Sequence, residues 1–229
     1  MDGFLNILKP PGMSSHDVIG AVRRVMHMKR VGHAGTLDPA AAGVLPIAVG
    51  QAARLIEYLE LADKTYRAEL TFGFATDSGD DTGEITEEVA DFAMPSQQAI
   101  EHVLLDFTGK IRQTPPAHSA IKIGGKRACD LLREGKEVEI PSREVTIHAL
   151  DLVAYHPEEH KILLDVQCSK GTYIRSLCLD IGAALGLPAT MSFLVRSRVG
   201  DFALADALTL ECQEKRRGRN EFFHDYAPF

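Results

Sequence analysis

The sequence predicts an α+β fold with a mixed, largely antiparallel central sheet flanked by helices and loops. Residues 66–74 alternate apolar and polar side chains with the period of a half-buried strand. Two further stretches with strand character, 145–147 and 162–168, follow one another across a polar connection. Because strands come as neighbours at least as often as they alternate with helices, the pattern favours an α+β architecture.

The N-terminal residues predict a strand followed by a helix. Residues 4–9 are typical of a short strand, and Pro10 cannot continue a strand ladder. Ser14 or Ser15 can then cap a helix whose apolar residues recur at helical spacing as far as Met26. We expect this helix to pack one face and to expose a basic one.

Residues 31–50 interrupt this periodicity. Glycines and prolines are frequent there, and the apolar residues among them predict a packed, specifically shaped loop. A short helix is expected over 52–61, and an acidic turn region precedes Pro95. Ser96 can cap the next helix, which Gly109 ends.

The C-terminal half adds a hairpin, two helices and the two neighbouring strands. The glycine pair at 124–125 predicts a hairpin or a flexible loop, and a short helix is expected over about 127–133. A further helix forms within 171–185 and is closed by Gly186 and Pro188. The sequence contains no internal repeat, no low-complexity linker and no glycine-rich nucleotide-binding motif.

Length and composition are those of a globular chain. With 229 residues, 45% of them hydrophobic, it can bury a substantial core without disulfides or metals. We expect neither a membrane span nor a secretory signal, and therefore a cytoplasmic location, because no long apolar run is present. The four cysteines share no C-x-x-C spacing, so reduced thiols and no metal are expected.

The net charge of −7 is unevenly distributed along the chain. Residues 77–106 carry many acids and neither Lys nor Arg. Two acid-free groups are basic instead: Arg23, Arg24, Lys29 and Arg30, and Lys110, Arg112, Lys122, Lys126 and Arg127. Such runs are usually solvated faces, so charge alone permits an RNA partner without requiring one.

Three side chains are candidates for chemistry. Asp38 precedes Pro39 in a glycine-rich stretch that can present a carboxylate, although Asp-Pro is also an ordinary turn opener. Tyr66 is either a core or rim residue of its strand or a platform for a flipped base. Arg175 is either a surface residue or the bidentate partner of a buried carboxylate.

Six segments occur together in one order along the chain. They are LKPPGMSS at 8–15, GHAGTLDPAAAGVLPIAVG at 32–50, KTY at 64–66, the turn at 73–83, the segment at 115–127 and GTYIR at 171–175. From residue 4 to about 211 the chain thereby resembles the TruB family of bacterial tRNA pseudouridine-55 synthases. The resemblance implies the pseudouridine-synthase fold and an isomerase that converts uridine 55 of the tRNA T-loop to pseudouridine.

The resemblance also implies a reaction and its catalytic residues. The bond from ribose C1′ to uracil N1 breaks, the base rotates, and C1′ joins C5 with no net oxidation, so no cofactor is required. Asp38 is then the essential carboxylate, either as a nucleophile at C1′ or as the base of a glycal route. Tyr66 stacks on the uracil and can take part in proton transfer, and Arg175 pairs with Asp38.

Substrate binding follows from the same resemblance. The target uridine lies inside a folded T-loop and must be extruded from it. His33 is implied to fill the vacated space, and Tyr173 and Leu194 to line the uracil pocket. The remaining substrate-binding residues are Lys9, Arg23, Arg24, Lys29, Arg30 and Lys122. The arginines and Lys29 and Lys122 would hold phosphates, whereas Lys9 is expected to support the catalytic loop rather than to touch RNA.

The chain departs from the family pattern in places. His118 and Cys129 stand where the family commonly has tyrosine, which puts local contacts in doubt. The family usually continues into a PUA-type RNA-binding domain, so we expect a catalytic domain over 1–211 and a short basic tail over 212–229. Two alternatives remain: an RNA-binding chaperone of tRNA folding, and a pseudouridine synthase for another RNA stem-loop. The family suggests a monomer, and no obligate protein partner is evident.

Overall fold

The computed structural model describes residues 1–116, 119, 121–123, 125–128, 131, 134 and 140–210. These residues form two compact units. The first unit comprises residues 1–62 together with the described residues from Arg196 onward, and the second comprises residues 63–195. The predicted tail over 212–229 and most of the predicted helix over 127–133 lie outside the described residues.

Strands outnumber helices in the described part of the chain. The strands are β1 (Gly3–Lys9), β2 (Val31–His33), β3 (Ala42–Val49), β4 (Lys64–Phe72), β5 (Phe74–Thr76), β6 (Ile85–Glu88), β7 (Gly109–Gln113), β8 (Lys122–Ile123), β9 (Lys126–Arg127), β10 (Arg143–His156), β11 (Lys161–Cys168), β12 (Ala189–Val199) and β13 (Phe202–Ala203). The α-helices are α1 (Ser15–Met26), α2 (Ile56–Glu60), α3 (Gln97–Asp106) and α4 (Ile174–Ala184). Short 3₁₀ helices cover Gly50–Leu55, Pro157–Glu159 and Leu204–Asp206.

The first unit is built around β3. β1 runs antiparallel to it, with Lys9 opposite Gly43, and β2 pairs antiparallel with the same strand. α1 packs its apolar stripe against these strands, so that Val18 and Val22 are fully buried. The core cluster is Leu5, Ile7, Val18, Ile19, Val22, Val31, Leu45, Ile47 and Val49.

The N-terminus of α1 confirms the predicted cap. Ser14 is the N-cap: its hydroxyl accepts from the Asp17 N–H at 3.2 Å, and the Asp17 carboxylate accepts from the Ser14 N–H at 2.9 Å. This reciprocal pair satisfies donors that the first helical turn leaves open. Because α1 follows β1 after a short turn, the cap fixes where the helix leaves the sheet.

The expectation of a loop over residues 31–50 is wrong for both of its ends. β2 and β3 occupy Val31–His33 and Ala42–Val49, and only the residues between them form a loop. Every residue of β3 from Gly43 to Val49 is buried, so the strand lacks the alternation by which half-buried strands are predicted. Pro46 inside the strand reinforces the loop interpretation, since proline rarely occurs within sheets.

The second unit contains a sheet in the order β12-β4-β11-β10-β7. β4 pairs antiparallel with β11, β11 with β10, and β10 with β7. Buried residues of these strands and of α4 form its core, among them Ala68, Leu70, Phe72, Ile147, Ile162, Leu164, Val166, Leu177 and Ile181. The described sheets thus confirm a mixed α+β architecture with predominantly antiparallel pairing.

The remaining predictions are confirmed in part. Ser96 caps α3 by accepting from the Ala99 N–H at 3.2 Å, and β8 and β9 form the hairpin expected around 124–125. The helix expected over 52–61 is a 3₁₀ turn followed by α2, and α4 begins only at Ile174. In the described part of the chain, no helix combines the length and the apolar character needed to span a membrane.

Candidate active site

The loop between β2 and β3 carries Asp38. Its start is fastened to β3, because the Ala34 N–H donates to the Pro46 carbonyl at 2.9 Å. Its end turns tightly, since the Ala41 N–H donates to the Asp38 carbonyl at 3.1 Å. The Asp38 side chain is half-buried. The carboxylate therefore sits on a backbone that is bonded at both ends.

The start of α1 and the turn before it also hold this loop. The Ser15 hydroxyl accepts from the Leu37 N–H at 2.9 Å and donates to the Leu37 carbonyl at 3.1 Å. The Gly12 N–H donates to the Pro39 carbonyl at 2.8 Å. Both residues next to Asp38 are thus tied to the segment at 8–15.

Lys9 is fully buried, with 0% of its surface exposed. Its ammonium group donates to the carbonyls of Pro10 at 2.9 Å, Met13 at 2.6 Å and Pro39 at 3.1 Å. Burial lowers the pKa of Lys9 to about 8, although the nearby Asp38 carboxylate acts in the opposite direction. A buried ammonium with three carbonyl partners supports the Asp38 loop and has no surface left for RNA.

Arg196, near the end of β12, is the second buried cation at this loop. It is 1% exposed, and its guanidinium donates to the carbonyls of Gly35 at 3.1 Å, Thr36 at 3.3 Å and Val44 at 2.8 Å. Two of these carbonyls precede Asp38, and the third follows it in β3. Arg196 therefore joins both arms of the loop.

His33 ends β2 and begins the Asp38 loop. Its side chain is half-buried, and its Nδ1 atom is buried without a hydrogen-bond partner among the residues that the structure describes. Burial lowers the pKa of His33, and the positive charges of Arg196 and His16 lower it further. A lowered pKa favours the neutral imidazole, and a neutral ring can enter a stack of bases without burying a charge.

In the second unit, Tyr66 lies on the buried side of β4. It is 9% exposed, stands opposite Val166 of β11, and shares its side of the strand with Lys64 and Ala68. The period-two alternation that predicts β4 is also what turns Tyr66 inward. A tyrosine in this position presents an aromatic ring from a rigid element.

Arg175 is buried in the first turn of α4 and is oriented by the turn after β5. Its guanidinium donates to the Ser78 carbonyl at 2.7 Å, and its Nε lies 3.7 Å from the Asp80 carboxylate. The other carboxylate oxygen of Asp80 accepts from the Ser78 hydroxyl, the Thr82 hydroxyl and the Thr82 N–H. Asp80 is thereby locked in place, and its charge holds the Arg175 head group.

Tyr173, two residues before Arg175, is held by its main chain and by its ring. The Gln113 side chain, 1% exposed, donates to the Tyr173 carbonyl at 3.0 Å and accepts from the Tyr173 N–H at 2.8 Å. The Arg143 guanidinium lies 5.1 Å from the centre of the Tyr173 ring, within cation–π range. Leu194, on β12, is 7% exposed.

The predicted phosphate contacts are exposed in the first unit. Arg23, Arg24, Lys29 and Arg30 lie on or just after α1, with Arg23 bonded to the Val31 carbonyl at 3.2 Å and Arg30 to the Gln51 side chain at 3.0 Å. Lys122 belongs to β8, but its side chain lies outside the described residues. Among the residues that the structure describes, no group of three or more His, Cys, Asp or Glu is arranged to hold a metal ion.

Two family models match the chain. A model for the N-terminal domain of TruB family pseudouridylate synthases matches residues 23–174, which is more than half of the chain. The chain belongs to the TruB family of pseudouridylate synthases. A model for the C-terminal domain of tRNA pseudouridylate synthase B matches residues 175–217 of this TruB-family chain.

Curated relatives and solved structures agree with this assignment. The chain is 53% identical to a tRNA pseudouridine synthase B of Heliobacterium mobile, over 92% of this chain and 68% of the relative. It is 48% identical to that of Caldanaerobacter subterraneus, over 96% of this chain and 76% of the relative. Among solved structures, it matches a Cbf5–Nop10–Gar1 complex at 31% identity with a TM-score of 0.71, over 91% of this chain. The chain spans 52% of that solved chain.

The predicted catalytic residues of this TruB-family chain are divided between the two units. The first unit brings Asp38 together with Lys9 and places His33 at the start of the same loop. Tyr66 and Arg175 belong to the second unit. The pairing of Asp38 with Arg175 and the individual roles of these residues stay predictions.

Three buried side chains that hold the predicted site residues are not indicated by any pattern in the sequence. Asp80 is hidden in the acidic run over 77–106, although the Ser and Thr residues around it could have indicated a hydrogen-bonded turn. Gln113 and Arg196 lie in β7 and β12, which the sequence does not predict as strands. Without the strands, no pattern shows that these polar side chains face inward.

Proposed function

We propose that this chain is a tRNA pseudouridine synthase that isomerises uridine 55 of the T-loop. The observation that carries the proposal is its identity of about half to several curated tRNA pseudouridine synthase B sequences over more than 90% of its length. The geometry of the Asp38 loop supports it, because each carbonyl from Gly35 to Leu37 accepts a bond from a buried side chain. A preorganised carboxylate suits a reaction in which a glycosidic bond must be broken and remade in place.

In the proposed reaction, C1′–N1 cleavage and C1′–C5 formation both take place at Asp38. The carboxylate acts as a nucleophile at C1′ or as the base of a glycal route. The uracil stays in the site, rotates and is rejoined through C5; C5 loses its proton and N1 gains one, so the isomerisation balances. Tyr66 provides the ring on which the base stacks. Arg175 holds the carboxylate in its charged form and in its orientation, which a water-excluding site makes more effective.

In the proposed substrate complex, the enzyme recognises the T-arm stem-loop of tRNA. His33 takes the place of the extruded base, which is consistent with its lowered pKa and with a buried Nδ1 that has no hydrogen-bond partner among the described residues. Tyr173 and Leu194 line the uracil pocket. The exposed basic residues Arg23, Arg24, Lys29 and Arg30, together with Lys122, would bind phosphates, so affinity should fall as salt rises.

The proposed domain division places the catalytic domain over 1–211 and a basic tail over 212–229. The second family model runs from 175 to 217 and therefore crosses this boundary. A cytoplasmic location accords with a substrate that is tRNA.

Site-resolved detection of pseudouridine on an unmodified tRNA transcript tests the proposed function. Wild-type protein should convert uridine 55 alone, and Asp38→Asn should abolish conversion while leaving salt-sensitive tRNA binding intact. Asp201→Asn is the matched control, because it removes an exposed carboxylate of the same unit.

Two other outcomes would contradict the proposal. Binding of tRNA without conversion by the wild-type protein would point to a tRNA-folding chaperone. Conversion of a different stem-loop in place of uridine 55 would leave the reaction but change the substrate.

A further inference from the structure

We propose that Arg196 is a positioning residue for this reaction. Its guanidinium fixes the backbone of the loop from which Asp38 acts. The inference rests on the proposed function, since it concerns the placement of that reaction's carboxylate. Arg196 does not need to touch RNA for this role.

The hydrogen-bond geometry requires an arginine. Each of its three side-chain nitrogens has its own carbonyl partner: Nε bonds Val44, Nη1 bonds Thr36 and Nη2 bonds Gly35. The guanidinium is planar and presents its donors in a fixed fork, whereas a lysine ammonium is a single point. Arg196 therefore sets the separation between the start of the loop and β3, and Asp38 lies between those two anchors.

The main chain fixes the position of Arg196 as firmly as its side chain does. Gly43 has φ +121°, and a Cβ at this residue would lie 2.2 Å from the Arg196 carbonyl oxygen and 2.6 Å from its nitrogen. Such distances are possible only because Gly43 has no side chain. The main chain at Arg196, which belongs to the first unit, therefore lies directly against the end of the Asp38 loop, and the guanidinium starts from a defined point.

The charge of Arg196 also acts on this neighbourhood. In the described part of the chain, its hydrogen bonds go to carbonyl oxygens and none goes to a carboxylate. A buried cation without a directly bonded anion is costly unless negative charge lies nearby. The Asp38 charge raises the pKa of Lys9 and the Arg196 charge lowers it, so the three groups share one electrostatic environment. The Asp38 carboxylate opposes the effect of burial on Lys9, whereas the charge of Arg196 adds to it.

Kinetics of Arg196→Met and Arg196→Lys in the full-length chain test the role. We expect the single-turnover rate of Arg196→Met to fall about a hundredfold, the scale of a small misplacement of a catalytic group, with tRNA Kd changed less than about threefold. Arg196→Lys should recover only part of the rate, because it restores the charge without the fork. Arg198→Met and Arg198→Lys are matched controls, since Arg198 is exposed two residues along β12.

A second measurement separates positioning from general stability. In Arg196→Met, hydrogen exchange should accelerate in the peptide covering residues 33–41 and stay unchanged in α3. The pKa of His33, followed by NMR, should rise, because the nearby positive charge that lowers it is gone.

Three results would overturn the proposal. They are a folded Arg196→Met with the wild-type single-turnover rate, full rescue by Arg196→Lys, and exchange that rises throughout the chain rather than at the loop. Wild-type protein without activity would refute the proposed function instead. Hydrogen exchange in the peptide covering residues 33–41 would then decide by itself whether Arg196 holds the Asp38 loop.

Discussion

Replacing Gln113 by alanine should loosen the start of α4 and slow the reaction. The side chain makes two hydrogen bonds to the main chain of Tyr173, at 3.0 and 2.8 Å, and it is 1% exposed. Alanine removes both bonds and leaves the partly buried main chain of Tyr173 without these side-chain partners. Since Tyr173 immediately precedes the turn that carries Arg175, a loss here should reach the predicted catalytic residues.

The expected loss of stability follows from the hydrogen bonds that the carbonyl and the N–H of Tyr173 keep in the variant. Its carbonyl also accepts from the Leu177 N–H at 3.1 Å, so it keeps one partner and loses about 1 kcal/mol of net bonding. Its N–H has no such second bond among those described, and leaving a partly buried donor unsatisfied costs about 2 kcal/mol. We therefore expect Gln113→Ala to lower the free energy of unfolding by about 3 kcal/mol.

Urea unfolding and single-turnover pseudouridine formation would measure the two effects. The rate should fall by about tenfold or more, because the orientation of the helix start sets that of Arg175. Gln113→Glu should lie between the wild type and Gln113→Ala, since a carboxylate still accepts from the Tyr173 N–H but cannot donate. Gln167→Ala on β11 is the control, because that side chain is exposed.

A small effect would refute this reasoning. If Gln113→Ala loses less than about 1 kcal/mol and keeps its rate within about twofold, the amide is not what holds Tyr173. If the free energy of unfolding falls by the whole predicted amount but the rate is unchanged, Tyr173 and Arg175 are placed by other contacts.

Three further predictions concern other buried contacts. Gly43→Ala should destabilise the fold by several kcal/mol in urea unfolding, because its Cβ would meet main-chain atoms, whereas Gly20→Ala in α1 has open space and should be neutral or slightly stabilising. The pKa of Lys9 is about 8 in the folded chain against 10.5 ordinarily, so the unfolded chain binds this proton more tightly. The free energy of unfolding should therefore gain a contribution as pH rises from about 8 to 10.5, and a Lys9→Met variant measured over the same range should lack it. Asp80→Asn should lower the single-turnover rate by about tenfold or more through the loss of charge beside Arg175, and an Asp81→Asn variant that behaves in the same way would contradict that assignment.

Much of the fold could be predicted because its signals are local. The alternation in β4 and the Ser14 cap of α1 each involve residues close in sequence, and both are present as expected. β3 and β12 could not be predicted in this way. β3 is buried along almost its whole length and carries no alternation, so local patterning gives no sign of its pairing.

The candidate site likewise has a part that could be predicted from the sequence and a part that could not. The sequence pointed to Asp38, Tyr66 and Arg175 through motif segments that are short and contiguous. The contacts that hold them come from afar: Arg196 bonds Thr36 across 160 residues, and Gln113 bonds Tyr173 across 60. Local sequence sets the preferences of each helix, turn and strand, whereas a buried donor meets its acceptor only when the chain has folded. The candidate for the reacting carboxylate could therefore be read from the sequence, whereas the contacts that hold its loop in place could be read only from the tertiary structure.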